Sequence, residues 1–288
     1  MRLYSSRNKN DNKSFLIRVN SLFTLLLFTL VLGSCASLAR YPGIGRIRRY
    51  TISDARLPDK FDGTTIAFIT DTHYPSKYTR KRLSNTTHAL ETLKPDLLLL
   101  GGDYVTSLAY ADELFAALSN CTAKYGKYAV LGNHDKRNAD TLRTIMQRNG
   151  IRLLADESDT LRNDNEEIYL CGIKEYNTTA ASPVVSRHTA DGFTIVLVHV
   201  PDYAQDTQLD NAAVVFSGHT HGGQVTLLGL YTPVIHSRYG KRFLSGLNFT
   251  DNDIPVITSN GLGTSRKNIR FCAPSDIVFV TLRKESTH

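Results

Sequence analysis

Short apolar strands alternate with amphipathic helices between residues 65 and 150, and this alternation restricts the fold more than any other feature of the sequence. Runs rich in β-branched residues and leucine predict strands at 65–70, 96–100 and 127–131. Apolar residues spaced three and four apart predict helices at 82–93, 111–120 and 139–150. Strands that alternate with helices indicate an α/β layered domain whose first sheet is at least partly parallel.

The second half of the chain contains predicted strands with few helices between them. These strands lie at about 151–154, 166–171, 193–198, 213–217, 224–228, 255–258 and 277–282. The pattern favours a second sheet with more antiparallel pairing than the first. A sandwich of two sheets flanked by helices accommodates both halves.

The positive charge of the chain is concentrated at its N-terminus. Residues 1–49 contain nine Lys or Arg and one acid, whereas the rest of the chain contains 25 Lys or Arg and 26 acids. The folded part is therefore close to neutral, although the pI of the whole chain is about 9.2. This distribution argues against nucleic acid as a partner, because a nucleic-acid-binding domain presents its basic residues on the folded surface.

The N-terminus has the layout of an export or anchoring signal, and two modes of membrane attachment fit it. Basic residues precede the apolar run 22–32, and the following sequence LGSC resembles the lipidation motif of bacterial lipoproteins, with Cys35 as the lipidated residue. The 21 uncharged residues between Arg18 and Arg40 are also long enough for an uncleaved helix of about 20 residues. We predict membrane association by one of these modes and divide the chain into a signal or anchor (1–39), a linker and edge segment (40–62) and a folded domain (63–288).

Side chains with carboxylate, imidazole or amide groups directly follow five of the predicted strands. They are Asp71 and His73 after 65–70, Asp103 after 96–100, Asn133, His134 and Asp135 after 127–131, His199 after 193–198, and His219 and His221 after 213–217. Each motif alone has a plain structural interpretation as a turn or a helix cap. Five of the nine histidines fall in these motifs, however, and ligands in α/β folds gather beyond the carboxyl ends of the strands. We therefore expect these side chains to meet at one edge.

The residue types indicate a site for two divalent metal ions. Seven of these side chains form a mixed set of oxygen and nitrogen ligands without thiolate, which suits manganese, iron or zinc better than calcium. They are Asp71, His73, Asp103, Asn133, His199, His219 and His221. Seven ligands are too many for one tetrahedral ion, but they suit two ions that share a bridging ligand. Two ions about 3.5–4 Å apart form a clamp for phosphoryl transfer. We expect manganese and keep iron and zinc as alternatives.

The blocks D-x-H, G-D, G-N-H-D, H and G-H-x-H, in this order, resemble the calcineurin-like metallophosphoesterase superfamily over about residues 63–283. The resemblance implies a four-layered α/β/β/α sandwich of two mixed sheets flanked by helices. It also implies that Asp103 bridges the two ions, and that His134 donates a proton to the leaving oxygen while Asp135 orients its ring. By the same resemblance the first ion is held by Asp71, His73 and His221, and the second by Asn133, His199 and His219.

Within the superfamily, GHTHGGQV and the tail from Asn260 look like the membrane-associated branch of bacterial phosphodiesterases and UDP-2,3-diacylglucosamine pyrophosphatases. Four positions of the tail depart from the pattern of that branch, namely Asn260, Asn268, Ser275 and Asp276, whereas Arg270 is retained. The resemblance implies a hydrolase of phosphodiester or pyrophosphate bonds in a phosphorylated small molecule or a lipid.

Alternatives to this function are a general exported phosphodiesterase or phosphatase and a non-catalytic metal-binding scaffold. Four basic residues near the first motif suit either a substrate headgroup or a solvated helix start, namely Lys77, Arg80, Lys81 and Arg82. Nothing in the sequence indicates an oligomeric state.

Overall fold

The computed structural model describes residues 20–21, 43–174, 192–207, 209, 212–227 and 231–285. The chain divides into two units, of which the second, Ala39–His288, contains the two sheets and the helices around them. Its strands are β1 (Arg46–Asp54), β2 (Thr65–Ile69), β3 (Leu97–Leu100), β4 (Lys127–Ala129), β5 (Arg152–Leu153), β6 (Glu157–Asn163), β7 (Glu166–Gly172), β8 (Thr194–Leu197), β9 (Val214–Ser217), β10 (Gly246–Phe249), β11 (Pro255–Thr258) and β12 (Asp276–Lys284). Its helices are α1 (Arg80–Leu93), α2 (Ala111–Ser119), α3 (Ala139–Arg148) and α4 (Tyr203–Asp206).

The strands form two mixed six-stranded sheets. The first has the order β1-β12-β2-β3-β4-β5, in which the β12–β2 pair is antiparallel and the other pairs are parallel. The second has the order β10-β11-β9-β8-β7-β6, with antiparallel pairs at its two ends and parallel pairing among its four central strands. The predicted α/β fold of two mixed sheets flanked by helices is confirmed.

Alternating side chains of the central strands divide the core into layers. In β3, Leu98 and Leu100 face a cluster that includes the apolar side chains of α1, α2 and α3, whereas Leu97 and Leu99 face the second sheet. Phe68 of the first sheet meets Phe216 of the second in an edge-to-face contact with ring centroids 5.4 Å apart. A third cluster covers the other face of the second sheet and includes residues of α4. Because side chains of a strand alternate between faces, each central strand contributes to two layers.

Helix α1 begins and ends at residues that the sequence marks as helix boundaries. The Thr79 side chain accepts a hydrogen bond from Arg82 N, as an N-cap residue does. The helix ends at Leu93; the next residue, Lys94, has a left-handed backbone conformation, and Pro95 follows. Leu83, Ala89 and Leu90 are buried in the cluster beneath the first sheet. The helix thus packs through one apolar stripe, and this stripe is the pattern that predicted it.

Three strands were not predicted, and one predicted strand does not form. Strands β1, β6 and β10 each lie at the edge of a sheet; β1 and β6 are rich in polar residues, and β10 is only four residues long. Strand β1 lies within the segment predicted as linker and edge (40–62) and pairs with β12 along its whole length. The prediction of a strand at 224–228 was wrong for the described residues 224–227, which make only isolated bridges. Gly222, Gly223 and Gln224 have positive φ angles, and they turn the chain before a ladder can form.

No helix within the described ranges is both long and apolar enough to span a bilayer. The predicted N-terminal signal or anchor and Cys35 lie outside the residues that the structure describes.

Candidate metal centre

The predicted ligands converge at one edge of the sandwich because the strands that precede them are parallel neighbours. Strands β2, β3 and β4 are adjacent in the first sheet and β8 and β9 are adjacent in the second, and their carboxyl ends lie together. The two sheets are joined at this edge by a hydrogen bond of 2.7 Å between His199 Nδ1 and the Gly101 carbonyl. The backbone N–H of His219 donates to Asp71 Oδ2 across the same gap, at 3.0 Å.

Five predicted ligands have a left-handed backbone conformation that side-chain-bearing residues seldom adopt. The φ angles are 53° at Asp71, 44° at His73, 55° at Asp103, 68° at His219 and 54° at His221. Asp is among the residues that tolerate this region best, and such conformations cluster at functional sites, at a cost of about 1–3 kcal/mol each. The turns after the strands therefore hold the ligand side chains toward the centre at the expense of local backbone strain.

Gly218, which precedes the GHTHGG histidines, allows the two sheets to meet. A Cβ atom at Gly218 would lie 2.4 Å from Asp71 Oδ2 and 2.5 Å from Thr70 Oγ1. Any larger residue would displace the Asp71 carboxylate, which accepts a hydrogen bond of 2.7 Å from the Thr70 hydroxyl. The glycine is required by this close approach of β9 to the end of β2.

Asp71, His73 and His221 form the first group of converging ligand atoms. One ligand atom from each lies within 4.8 Å of the others, and all three residues are buried. His221 Nε2 is 3.4 Å from Asp71 Oδ1 and 3.4 Å from His73 Nε2. The rings of His73 and His221 stack with centroids 5.3 Å apart. This is the set that the sequence assigned to the first ion.

Asp103 lies between this group and a second one. Its Oδ2 atom is 3.7 Å from His73 Nε2 and 3.4 Å from His199 Nε2. His199 Nε2 is also 3.2 Å from Asn133 Oδ1 and 3.3 Å from His219 Nδ1. Asp71, Asp103 and His199 form a further group with ligand atoms within 4.8 Å of one another. Asp103 thus contacts histidines of both predicted sets, which is the position that a bridging carboxylate needs.

The donor set fits divalent ions. Asp71 Oδ1 is buried and has no hydrogen-bond partner within the described residues, although a buried carboxylate oxygen normally has one. Three buried imidazole nitrogens, one each from His73, His199 and His221, face the two carboxylates at 3.4–3.7 Å. These oxygen and nitrogen atoms form the kind of ligand set that would bind manganese, iron or zinc. The assignment of single residues to one ion or the other stays a prediction.

Electrostatics of the metal-free site divide the histidines into two kinds. Burial disfavours the charged form of His199, but the neighbouring Asp103 outweighs it and raises the pKa of His199 to about 10. Burial lowers the pKa of His221 to about 3 and that of His219 to about 4. Burial opposes ionisation of Asp103, yet His199 holds its pKa well below the usual range. At neutral pH, His219 and His221 are therefore neutral and able to bind metal. His199 is protonated on both ring nitrogens, and it has to lose one of these protons before it binds metal.

His134 lies at the open side of the site. Its side chain is 60% exposed, and its Nε2 atom is 3.9 Å from Asp103 Oδ2. Its ring meets that of His73 edge-on with centroids 5.3 Å apart. The backbone N–H of His134 donates to Asp103 Oδ1 at 2.9 Å. His134 is thus held beside the ligands while its ring faces the space that a substrate would enter.

Asp135 has other contacts than the predicted one with the His134 ring. Its Oδ2 atom accepts hydrogen bonds from the backbone N–H groups of Asp103 and Gly132, at 2.7 and 2.9 Å. Its Oδ1 atom accepts from Tyr104 N at 3.2 Å. Burial and the nearby Asp103 raise the pKa of Asp135 to about 7. The side chain fixes the turn that carries Asp103, and the orienting role predicted for it has no contact to support it among the described residues.

Arg270 supports the site in a way that the sequence motifs did not reveal. Its guanidinium donates hydrogen bonds to the carbonyls of His221, Asn260, Gly261, Gly263 and Ala273. Gly263 N and Leu262 N in turn donate to the carbonyls of Asp71 and Thr70. Arg270 is therefore linked to Asp71 through the 260–263 turn and to His221 directly through the His221 carbonyl. The glycines of the tail, followed by Arg270, were the available signal.

Three of the four basic residues near the first motif, Lys77, Arg80 and Arg82, make contacts within the fold. Arg80 donates to Glu113 in an exposed ion pair. Arg82 donates to the carbonyls of Gly43 and Leu262, and Lys77 Nζ donates to a carbonyl as well, at 3.4 Å. These contacts favour the structural interpretation of this cluster over headgroup binding.

The chain is similar to a known protein family and to several of its members. Residues 64–223 match the sequence profile described as calcineurin-like phosphoesterase. The chain is 28% identical to the uncharacterized metallophosphoesterase YkuE of Bacillus subtilis, over 88% of this chain and 92% of that protein. It is 29% identical to the phosphodiesterase YaeI of Escherichia coli, over 69% of this chain and 75% of that one. A solved dimetal phosphatase from Danio rerio is 10% identical, with a TM-score of 0.45, over 77% of this chain and 93% of that structure. The profile covers more than half of the chain, and the protein therefore belongs to the calcineurin-like phosphoesterase family and is a metal-dependent phosphoester hydrolase.

Proposed function

We propose that this protein hydrolyses phosphodiester or pyrophosphate bonds with two divalent ions, manganese in the first place. The observation that carries the proposal is the position of Asp103, whose Oδ2 atom lies 3.7 Å from His73 and 3.4 Å from His199. A carboxylate between two groups of ligands is the arrangement that a two-ion site requires. When bound, the ions supply Lewis acidity toward the phosphoryl oxygens and lower the pKa of a water molecule.

The residues of the chain supply positioning and a proton. Asp135 accepts a hydrogen bond from the backbone N–H of Asp103, and the backbone N–H of His134 donates to the Asp103 carboxylate. His134 presents an exposed imidazole at the open side of the site, where it can donate a proton to the leaving oxygen. No side chain is needed as a covalent nucleophile.

Lipids or lipid-linked nucleotides, such as UDP-2,3-diacylglucosamine, are the proposed substrates. The basic and apolar N-terminal sequence supports this proposal, because an anchored enzyme meets its substrate at the membrane surface. Attachment through an uncleaved helix suits a cytoplasmic nucleotide substrate, whereas a lipidated Cys35 would place the domain outside the cytoplasm. A general exported phosphodiesterase or phosphatase is the second candidate, and the similarity to YaeI, which is named a phosphodiesterase, favours it. The full set of ligands argues against a non-catalytic scaffold.

The test compares two substrates on the Mn²⁺-loaded full chain. UDP-2,3-diacylglucosamine and a generic aryl phosphodiester are incubated separately, and the products are identified by mass spectrometry. His199→Ala, which removes a buried ligand, gives the background rate. Release of UMP and the lipid monophosphate far above that background supports the lipid-nucleotide substrate. Cleavage of the aryl diester alone would exclude this substrate and favour the exported phosphodiesterase, and no turnover above the background would refute the proposed function.

A further inference from the structure

Two clefts of opposite character open beside the metal centre. The first, the apolar cleft, has a volume of about 270 Å³ and is lined in part by His221, Val225, Val234 and Ile269. The second, the polar cleft, has a volume of about 530 Å³ and is lined in part by Asn133, Lys136, His219 and Arg238. His236 lines both clefts, and its ring lies 5.8 Å from that of His219. Each cleft therefore includes a predicted metal ligand in its wall, and the two clefts are neighbours that share His236.

The apolar cleft lies in the most hydrophobic part of the described surface. Val225, Val234 and Ile269 are 37%, 48% and 59% exposed although they are aliphatic. Leu227, Tyr231 and Phe271 are exposed as well and belong to the same segments, where Val225 pairs with Phe271 and Leu227 with Tyr231 in isolated bridges. Six of the eight exposed large apolar side chains in the described part of the chain thus lie in these segments. A concentration of this kind marks a surface that binds something apolar.

The position of the apolar cleft identifies its occupant. Its wall includes His221, so a group that fills the cleft lies next to the bond that the metal centre attacks. Arg266 and Lys267 also line the cleft and supply positive charge for an anionic phosphoryl group. An apolar chain covalently attached to that phosphoryl group satisfies both features. A cleft of this volume has room for a chain of several methylene groups.

The polar cleft has hydrogen-bonding groups of both charges. Asp202, which lines it, accepts hydrogen bonds from Ser237 Oγ at 2.6 Å and from Arg238 N at 2.7 Å. Arg238 also forms an ion pair with Asp206. Lys136 and Asn133 complete a lining that offers both donors and acceptors. Such a lining suits a hydroxyl-bearing substituent, because burial of an apolar chain against it would leave polar groups without partners.

We infer that the substrate is a phosphodiester that lies across the metal centre with an alkyl or acyl chain in the apolar cleft and a polar, hydroxyl-bearing group in the polar cleft. The inference rests on the proposed function and adds the direction in which the substrate binds. It makes Val225, Val234 and Ile269 determinants of specificity for chain length.

The test uses glycerol phosphodiesters that carry methyl, butyl or octyl groups, at concentrations below micelle formation. The Mn²⁺-loaded full chain should show a kcat/KM that rises with chain length by up to about fourfold per methylene, until the cleft is filled. Val234→Asp and Ile269→Asp should flatten this dependence. Phe249→Asp, an exposed apolar residue outside both clefts, is the matched control and should leave the activity unchanged. Lys136→Met should lower kcat/KM for all three diesters by a similar factor and preserve the dependence on chain length.

Binding of the same diesters to the metal-free protein, measured by calorimetry, gives a readout that does not depend on turnover. Tighter binding of the octyl compound, with a more negative heat-capacity change, is expected for the wild type and Phe249→Asp but not for Ile269→Asp. Equal turnover and equal binding of the three diesters would overturn the inference while the proposed function stands. Loss of the chain-length dependence in Phe249→Asp or Lys136→Met would also overturn it. Turnover no higher than that of His199→Ala would refute the proposed function, and the inference with it.

Discussion

Gly132 lies so close to the Asp103 carboxylate that a single methyl group there tests how the site is built. A Cβ atom added at Gly132 would lie 2.2 Å from Asp103 Oδ1, 2.6 Å from Asp103 N and 2.8 Å from Asp103 Cγ. Non-bonded carbon contacts are normally about 3.5–4.0 Å, so the turn that carries Asp103 has to move by about 1 Å. The φ angle of Gly132 lies outside the left-handed region, so alanine is not strained there by its backbone conformation.

We expect Gly132→Ala to lower kcat/KM for an aryl phosphodiester about 100-fold, because a displacement of about 1 Å at a reacting site has an effect of that size. Its free energy of unfolding should fall by about 1–3 kcal/mol, the usual cost of overpacking. Gly150→Ala is the matched control. Gly150 has a φ of 67°, and a Cβ there would meet no atom within 4 Å, so alanine costs about 1–2 kcal/mol of backbone strain far from the site.

The assay measures hydrolysis with Mn²⁺, bound metal by elemental analysis and unfolding by chemical denaturation for both variants. The two should lose similar stability, but only Gly132→Ala should lose activity and bound metal. Full activity of Gly132→Ala would refute the argument that the 132–135 turn positions Asp103. An equal loss of activity in both variants would show that the effect comes from stability alone.

Three further predictions concern the same centre. At pH 7, metal binding should release about one proton per chain from His199, because the pKa of this residue is raised to about 10. The release should disappear above that pH. Calorimetry in buffers of different ionisation enthalpy measures the number of protons released, and an unchanged number in His199→Ala would contradict the assignment. The metal-free protein should lose stability as the pH falls from about 6.5 toward 3, because His221 has a pKa of about 3 when folded and binds a proton more readily when unfolded. Chemical denaturation at several pH values measures this loss, and His221→Ala should show a weaker dependence of stability on acid pH. Arg270→Lys keeps the charge but loses several hydrogen bonds to carbonyl groups. The free energy of unfolding should therefore fall by about 2–4 kcal/mol, and metal affinity should fall about 10- to 100-fold. Unchanged metal affinity would contradict the role of the 260–263 turn.

The strands that carry the site were predictable because their apolar runs are buried on both faces. Leu97–Leu100 and Val214–Ser217 are fully buried, so their composition alone identifies them. The ligands follow these strands directly, and the parallel pairing of β2, β3 and β4 brings them together. The edge strands β1, β6 and β10 were not predictable in the same way. Most of their side chains are exposed or only partly buried, so no continuous apolar run marks them.

Local sequence does not predict the supporting contacts of the site. The left-handed conformation of His73 and His221 depends on the turns around them, since positive φ angles are uncommon for any residue other than glycine. The contacts of Asp135 with backbone amides depend on the distance between two neighbouring turns. Arg270 is 49 residues from His221 in sequence, and only the folded chain brings its guanidinium to the His221 carbonyl. Contacts of this kind are tertiary, and no periodic pattern encodes them.

Anomalous X-ray diffraction from crystals grown with Mn²⁺ tests the central claim most directly, because it locates the ions without reference to activity. We predict two anomalous peaks about 3.5–4 Å apart, with the Asp103 carboxylate between them, one beside His73 and His221 and the other beside His199 and His219. A single peak, or two peaks that do not share Asp103, would contradict the two-ion centre.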